Sequence, residues 1–175
     1  RSSSRDVAIV NTTGVRINST GSGDLYLEDV VAGFATFNHI GQRIWARQFN
    51  TEGQGTKIIN NGAILWILRL KTEKYGTVID TFSGGFTEVI GGFIYRVAKT
   101  TDDNSPMFSI TNSHATFAGI GEMDATQSQE RNYSTIISET RGKTTIQGKR
   151  DMCTASRHNG SCILNLYIGA TKYKS

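Results

Sequence analysis

Three aromatic residues, Tyr26, Trp45 and Trp66, recur at spacings of 19 and 21 residues, each inside a short β-rich run. Flat rings carried at regular intervals suit sugars, because a pyranose offers an apolar C–H face and a rim of hydroxyls. Arg47, Gln48, Arg69 and Glu88 stand close to the rings in the repeat and supply hydrogen-bonding partners, as do Gln42, Arg43 and Asn50. These residues form the candidate ligand-binding set.

Catalytic chemistry would need a defined constellation, and none is written. The candidate acids are Glu28, Asp29, Asp80, Glu88, Glu122 and Asp124. Adjacent Glu28 and Asp29 would face opposite sides of a strand. Asp80 and Glu88 fall on different strands, and the separation that paired hydrolytic carboxylates require is not read from spacing. Glu52 and Glu73 recur at a turn and are expected to be solvated. Asp102-Asp103-Asn104 is a single acidic loop, weak evidence for calcium, and His39, His114 and His158 share no metal-ligand spacing. No nucleophile elbow, phosphate loop or dinucleotide fingerprint occurs. No catalytic residue, metal or cofactor is therefore assigned.

The elements that must position the rings are legible as a repeat. GQRIWARQFNTEGQGT (41–56) superimposes on GAILWILRLKTEKYGT (62–77) at an offset of 21, pairing Trp45 with Trp66 and Thr51-Glu52 with Thr72-Glu73. GDLYLEDV joins at an offset of 19 if Tyr26 matches Trp45, and FTEVIGG at 22 if Glu88 matches Trp66. TEVIGG, ATFAGI and KTTIQG then recur at about 28, beginning at residues 87, 115 and 143. A second short strand belongs to each coil (TKIIN, TVIDT, MFSIT and STIIS), and CILNLYIGAT reads as a closing strand. Repeats of this length build solenoids.

The fold expected is all-β, a single-domain right-handed parallel β-helix of about seven coils over residues 1–175, with a β-sandwich as the alternative. Ile44, Leu65 and Val89 or their neighbours would ladder inside, leaving Trp45, Trp66, Tyr26 and Glu88 on one outward line. The apolar run AILWIL leaves a second reading open, because a one-residue slip would put Trp66 in the core. One corner lengthens from TEKYG to RVAKTTDDNSP and EMDATQSQERNY in successive coils, which would raise a wall along one edge. Such a wall is either a binding face or a shield for the flank.

Composition narrows the class. Of 175 residues, 37% are hydrophobic and 19% charged, with 19 Gly and one Pro, which suits a turn-rich β domain. No apolar run approaches the roughly 20 residues of a membrane span. The net charge of +4 comes from scattered basic residues, which gives no support for nucleic acid as a partner. The chain opens on RSSSRD, with neither an initiator Met nor a signal peptide, and reads as a module of a larger or processed protein. Cys153 and Cys162 are expected to pair in a local disulfide, as in an exported protein, with two free thiols as the alternative. Four Asn-X-Ser/Thr sequons, at Asn11, Asn18, Asn132 and Asn159, would matter only in a eukaryotic secretory pathway.

Residues 41–95, with GQRIWARQFNTEG, GAILWILRLKTE and GGFTEVIGGFIY, resemble the right-handed parallel β-helix proteins of the pectate-lyase-like superfamily. That group includes polysaccharide lyases, glycoside hydrolases and non-catalytic carbohydrate-binding modules. No lyase or polygalacturonase motif maps onto this chain. A single β-helix without one most resembles the carbohydrate-binding modules of family 89, associated with xylan.

The resemblance implies a secreted or cell-surface, monomeric module. It would bind a plant cell-wall polysaccharide such as xylan and target an attached glycoside hydrolase to it. Neither nucleic acid nor a membrane is expected as a partner. The alternatives are a β-helical lyase or hydrolase, and a structural or adhesive β-helix.

Overall fold

The structure is a computed structural model that describes residues 3–97, 104–124, 132–155 and 162–169. Two 13-residue strands, β1 (Val7–Ser19) and β2 (Leu25–Phe37), are followed by alternating long and short ones. The long strands are β3 (Arg43–Thr51), β5 (Ile64–Glu73), β7 (Phe86–Arg96) and β9 (His114–Asp124). The short ones are β4 (Ile58–Asn61), β6 (Ile79–Phe82), β8 (Phe108–Thr111) and β10 (Thr135–Arg141). Long strands pair in parallel with long, and short with short. β2 bridges both stacks, pairing with β3 through its first half and with β4 through its end, and β1 lies parallel beyond it. The chain is a parallel β-helix.

The helix has about four two-strand coils, not seven. The difference lies at the C-terminal end. KTTIQG does not start another coil: it forms β11 (Thr144–Lys149), which folds back antiparallel on β10. β13 (Cys162–Ile168) runs antiparallel along β9 and carries β12 (Thr154–Ala155). A disulfide joins Cys153 to Cys162, with Cα atoms 5.2 Å apart. Reversing strand direction ends the stack, because the next rung no longer finds a parallel edge in register.

Inward columns make one continuous core. Ile44 stacks on Leu65, and Ala46 on Ile67, Val89 and Phe117. Val89 thus stands one inward column away from Ile44 and Leu65. The position above Leu65 is Thr87, fully buried, whose hydroxyl accepts from Asn60 Nδ2 at 2.9 Å and lies 2.8 Å from Thr81 Oγ1. Each large apolar side chain buried in these ladders contributes about 1.5–3 kcal/mol of transfer free energy.

Each long strand bends at the same place in every rung, and β1 has a further left-handed residue and register shift at Gly14. Asn11, Asp29, Gln48, Arg69, Gly91 and Gly119 hold φ between 49° and 74°, and the pairing registers skip all six. A left-handed residue breaks the in–out alternation, so its predecessor and the bend residue both face out. That is why Arg47 and Gln48 are both exposed, as are Leu68 and Arg69. The bend divides the long-strand sheet into two faces.

Candidate functional site

The first face carries the predicted aromatic line. Strand register sets Ala8, Tyr26, Trp45, Trp66, Glu88 and Thr116 side by side, all pointing outward. Tyr26 and Trp45 stack with centroids 5.0 Å apart and planes 8° apart, and Trp45 and Trp66 at 5.1 Å and 16°. Tyr26 is 42% exposed, while Trp45 and Trp66 are half-buried. Neither Trp belongs to the core.

Rings stacked at this distance cover one another's faces. Trp45 is sandwiched between Tyr26 and Trp66, so it shows solvent an edge. An open face remains at the Tyr26 end, where the neighbour on β1 is Ala8, a methyl group. At the other end Trp66 meets Glu88 on its own column and Phe86 in tilted contact at 6.0 Å.

Two residues further along each strand runs a second outward column: Val10, Glu28, Arg47, Leu68 and Ile90. Between this column and the rings lies a groove of about 360 Å³. It crosses five rungs, roughly 19 Å at about 4.8 Å per rung. Val10, Leu68 and Ile90 are each about half exposed, an apolar wall opposite the aromatic one.

Charge enters this groove at two points. Arg47 donates from Nε to both carboxylate oxygens of Glu28, at 2.8 and 2.7 Å, and from Nη2 to Oε1 at 2.5 Å. These bonds hold the Glu28 carboxyl below its usual range and push Arg47 up, so both stay charged and neutralise each other. Glu88, half-buried at the Trp66 end, has no hydrogen-bond or ion-pair partner among the described residues. Its carboxylate is free to accept from a ligand. On the opposite flank, Arg43 pairs with Asp24 at 3.0 and 2.7 Å and sits 5.6 Å from the Trp45 ring centre.

The predicted set therefore divides. Tyr26, Trp45, Trp66, Arg47 and Glu88 line one groove, but Gln48 and Arg69 do not. Both are bend residues, and their side chains line a second cleft across the corner. Glu28 and Asp29 do not face opposite sides, since the bend turns both outward. Glu122 is buried and accepts the Tyr133 backbone N–H at 2.8 Å. Asp80 lies half-buried on the short-strand face.

Glu52 and Glu73 share Lys71 between them rather than standing free. Asp102, Asp103, His158, the side chain of Asp124 and most of both lengthened corners lie outside the described residues. Among the described residues no cluster of three or more His, Cys, Asp or Glu could hold a metal. The missed groove residues were Val10, Leu68 and Ile90. Their signal was position, since each stands one residue before a bend, as Arg47 does.

Comparison of the chain with protein-family models, curated proteins and solved structures found no match.

Proposed function

We propose that this β-helix is a non-catalytic carbohydrate-binding module whose first face takes a polysaccharide chain along the solenoid axis. The observation that carries the reading is the groove itself, a run of about five rungs walled by the edges of stacked rings on one side and Leu68 and Ile90 on the other. A linear sugar chain presents apolar C–H faces and hydroxyl edges in alternation, which matches an apolar wall interrupted by Arg47, Glu28 and Glu88. The open face of Tyr26 offers a stacking platform at one end.

Xylan is the leading ligand, on the resemblance to the family 89 modules. In a larger protein, binding would hold an attached glycoside hydrolase at its insoluble substrate and raise its effective concentration there. Glu28 is locked to Arg47 and Glu122 is buried behind the sheet, which leaves Glu88 as the groove carboxylate without a partner among the described residues. The alternatives of a lyase or hydrolase, or of a structural β-helix, have no comparable feature behind them.

The reading is tested by affinity electrophoresis through gels containing xylan, pectin, mixed-linkage glucan or mannan. Retardation by one of them, lost in Trp66→Ala and without release of reducing ends, is the outcome expected. Cleavage of the polysaccharide would make the protein an enzyme, and the absence of retardation in every gel would remove the reading.

A further inference from the structure

The bend ridge separates the first groove from a second cleft of about 510 Å³ on the other face of the same strands. Its ring is Phe93, 45% exposed. Register places Phe93 between Lys71 on β5 and Gly121 on β9. Gly121 has no side chain, so nothing on that rung covers the ring on the β9 side. Gly91 extends the gap, since a Cβ added there would meet nothing within 4 Å. Tyr95 meets Phe93 in tilted contact, with centroids 5.4 Å and planes 38° apart, and the side of the Phe93 ring toward Gly121 stays open, unlike Trp45 between its two stacked neighbours.

The polar groups around Phe93 are of two kinds. Lys71 is spoken for: its ammonium binds Glu52 at 3.0 Å and also Glu73, and lies 5.3 Å from the Tyr95 ring centre. Arg69 is not. It is exposed on the ridge with φ of 65°, and no described carboxylate or hydrogen-bond acceptor engages its guanidinium. Non-glycine residues hold left-handed backbone only at a cost, and here the cost sets a long cation at the rim of the cleft. Asn50 adds a buried Oδ1 without a donor, while its Nδ2 is held by Glu52 at 2.7 Å. Gln48 stands next to Arg69 in the ridge. Among the described residues that line the cleft the one acid is Asp29, two rungs from Arg69, roughly 10 Å at about 4.8 Å per rung.

We propose that this cleft is a second saccharide subsite, specific for a sugar that carries a carboxylate. The sugar's apolar face packs on the open side of Phe93, its carboxylate pairs with Arg69, and a hydroxyl donates to Asn50 Oδ1. A guanidinium fork matches a carboxylate in two parallel hydrogen bonds. The ligand's class rests on the carbohydrate-binding reading, whereas the site lies on a different face with different residues.

The test is an NMR titration of the intact chain with trigalacturonate and with the same trisaccharide as its methyl ester. The ester keeps the rings and removes the charge. The Phe93 ring and the Arg69 amide report on this cleft, and the Trp45 and Trp66 indole N–H resonances report on the first groove. The acid is expected to shift Phe93 and Arg69 and to bind at least about fivefold more tightly than the ester. Arg69→Gln, which copies the residue that Gln48 places one rung away, should erase that preference with an otherwise native spectrum. Phe93→Ala should weaken the acid and the ester alike.

Equal affinity for acid and ester, unchanged binding in Arg69→Gln, or shifts confined to the indoles would each overturn the proposal. So would the absence of any shift. The first groove is judged separately, by neutral polysaccharides and Trp66→Ala. Failure there, with Phe93 and Arg69 still responding to the acid, would leave this subsite standing.

Discussion

Trp45 and Trp66 stack 5.1 Å apart with their planes 16° from parallel, and they do so on the outside of the solenoid. The pair is one step of a ladder set by the parallel register, which brings equivalent positions of successive coils within ring-stacking distance. Each ring therefore serves two ends, tying adjacent rungs together and walling the groove.

That double role predicts a modest loss of stability. A stacked aromatic pair contributes about 0.5–1.5 kcal/mol beyond area burial. Trp45→Ala breaks two stacks and should cost about 2–3 kcal/mol in urea unfolding, whereas Tyr26→Ala breaks one and should cost about 1 kcal/mol. Both variants should keep native circular dichroism. Collapse of the fold in Tyr26→Ala would contradict its placement at the exposed end.

Gly76 and Gly41 both need φ > 0, at 92° and 77°, but their surroundings differ. A Cβ on Gly76 would stand 2.3 Å from Gly55 O, while one on Gly41 would meet nothing within 4 Å. Gly41→Ala should cost only the backbone penalty of about 1 kcal/mol. Gly76→Ala must also push neighbouring rungs away from each other, and it shifts the carbonyl that accepts Tyr133 OH at 2.6 Å and Lys57 Nζ at 3.3 Å. Its thermal midpoint should fall well below that of Gly41→Ala, and equal midpoints would contradict the packing of that corner.

Lys71 predicts the acid limb of stability. Hydrogen bonds from Lys71 and Asn50 hold the Glu52 carboxyl below its ordinary value of 4.5. At Glu73 burial pushes the other way, but the bonds from Lys71 and Tyr95 outweigh it and the net shift is also downward. A depressed carboxyl stabilises the fold above its unfolded value and loses that contribution as the pH falls through its folded value. The melting midpoint should therefore drop on acidification below about 4.5, and Lys71→Met should flatten that drop. The cluster is partly exposed, so added salt should weaken the effect.

Reduction of Cys153–Cys162 should loosen the C-terminal closure. A cross-link over a separation of 9 residues corresponds to about 2–3 kcal/mol in the chain-entropy account. Hydrogen exchange after mild reduction should quicken in β13 and β12 and leave β5 and β7 protected. Uniform deprotection would show instead that the closing strands hold the whole solenoid together.

The solenoid was legible because parallel stacking writes itself as a repeat. The offsets of 19, 21 and 22 that join Tyr26, Trp45, Trp66 and Glu88 are the registers the strands adopt. KTTIQG misled because an edge strand that reverses direction carries the same β-rich composition as one that continues a coil. The bend stayed hidden for a different reason. Gln48 and Arg69 are not residues that announce a left-handed turn; Asn11, Asp29, Gly91 and Gly119 in the same column tolerate one, but no shared residue type marks the position. Reading alternation straight through the bend placed Gln48 and Arg69 with the rings when they belong to the next face. Polar interior positions such as Thr87 were equally silent, because their partners come from other strands.

The most direct test of the account is the affinity of the intact chain for soluble xylan by titration calorimetry, measured beside Trp66→Ala with matched circular dichroism. Saturable binding without cleavage is expected, with a loss of at least about 2 kcal/mol, roughly thirtyfold, in the variant. Equal affinity of the two proteins would contradict it, because a ligand that ignores Trp66 does not lie in the groove that Trp66 walls.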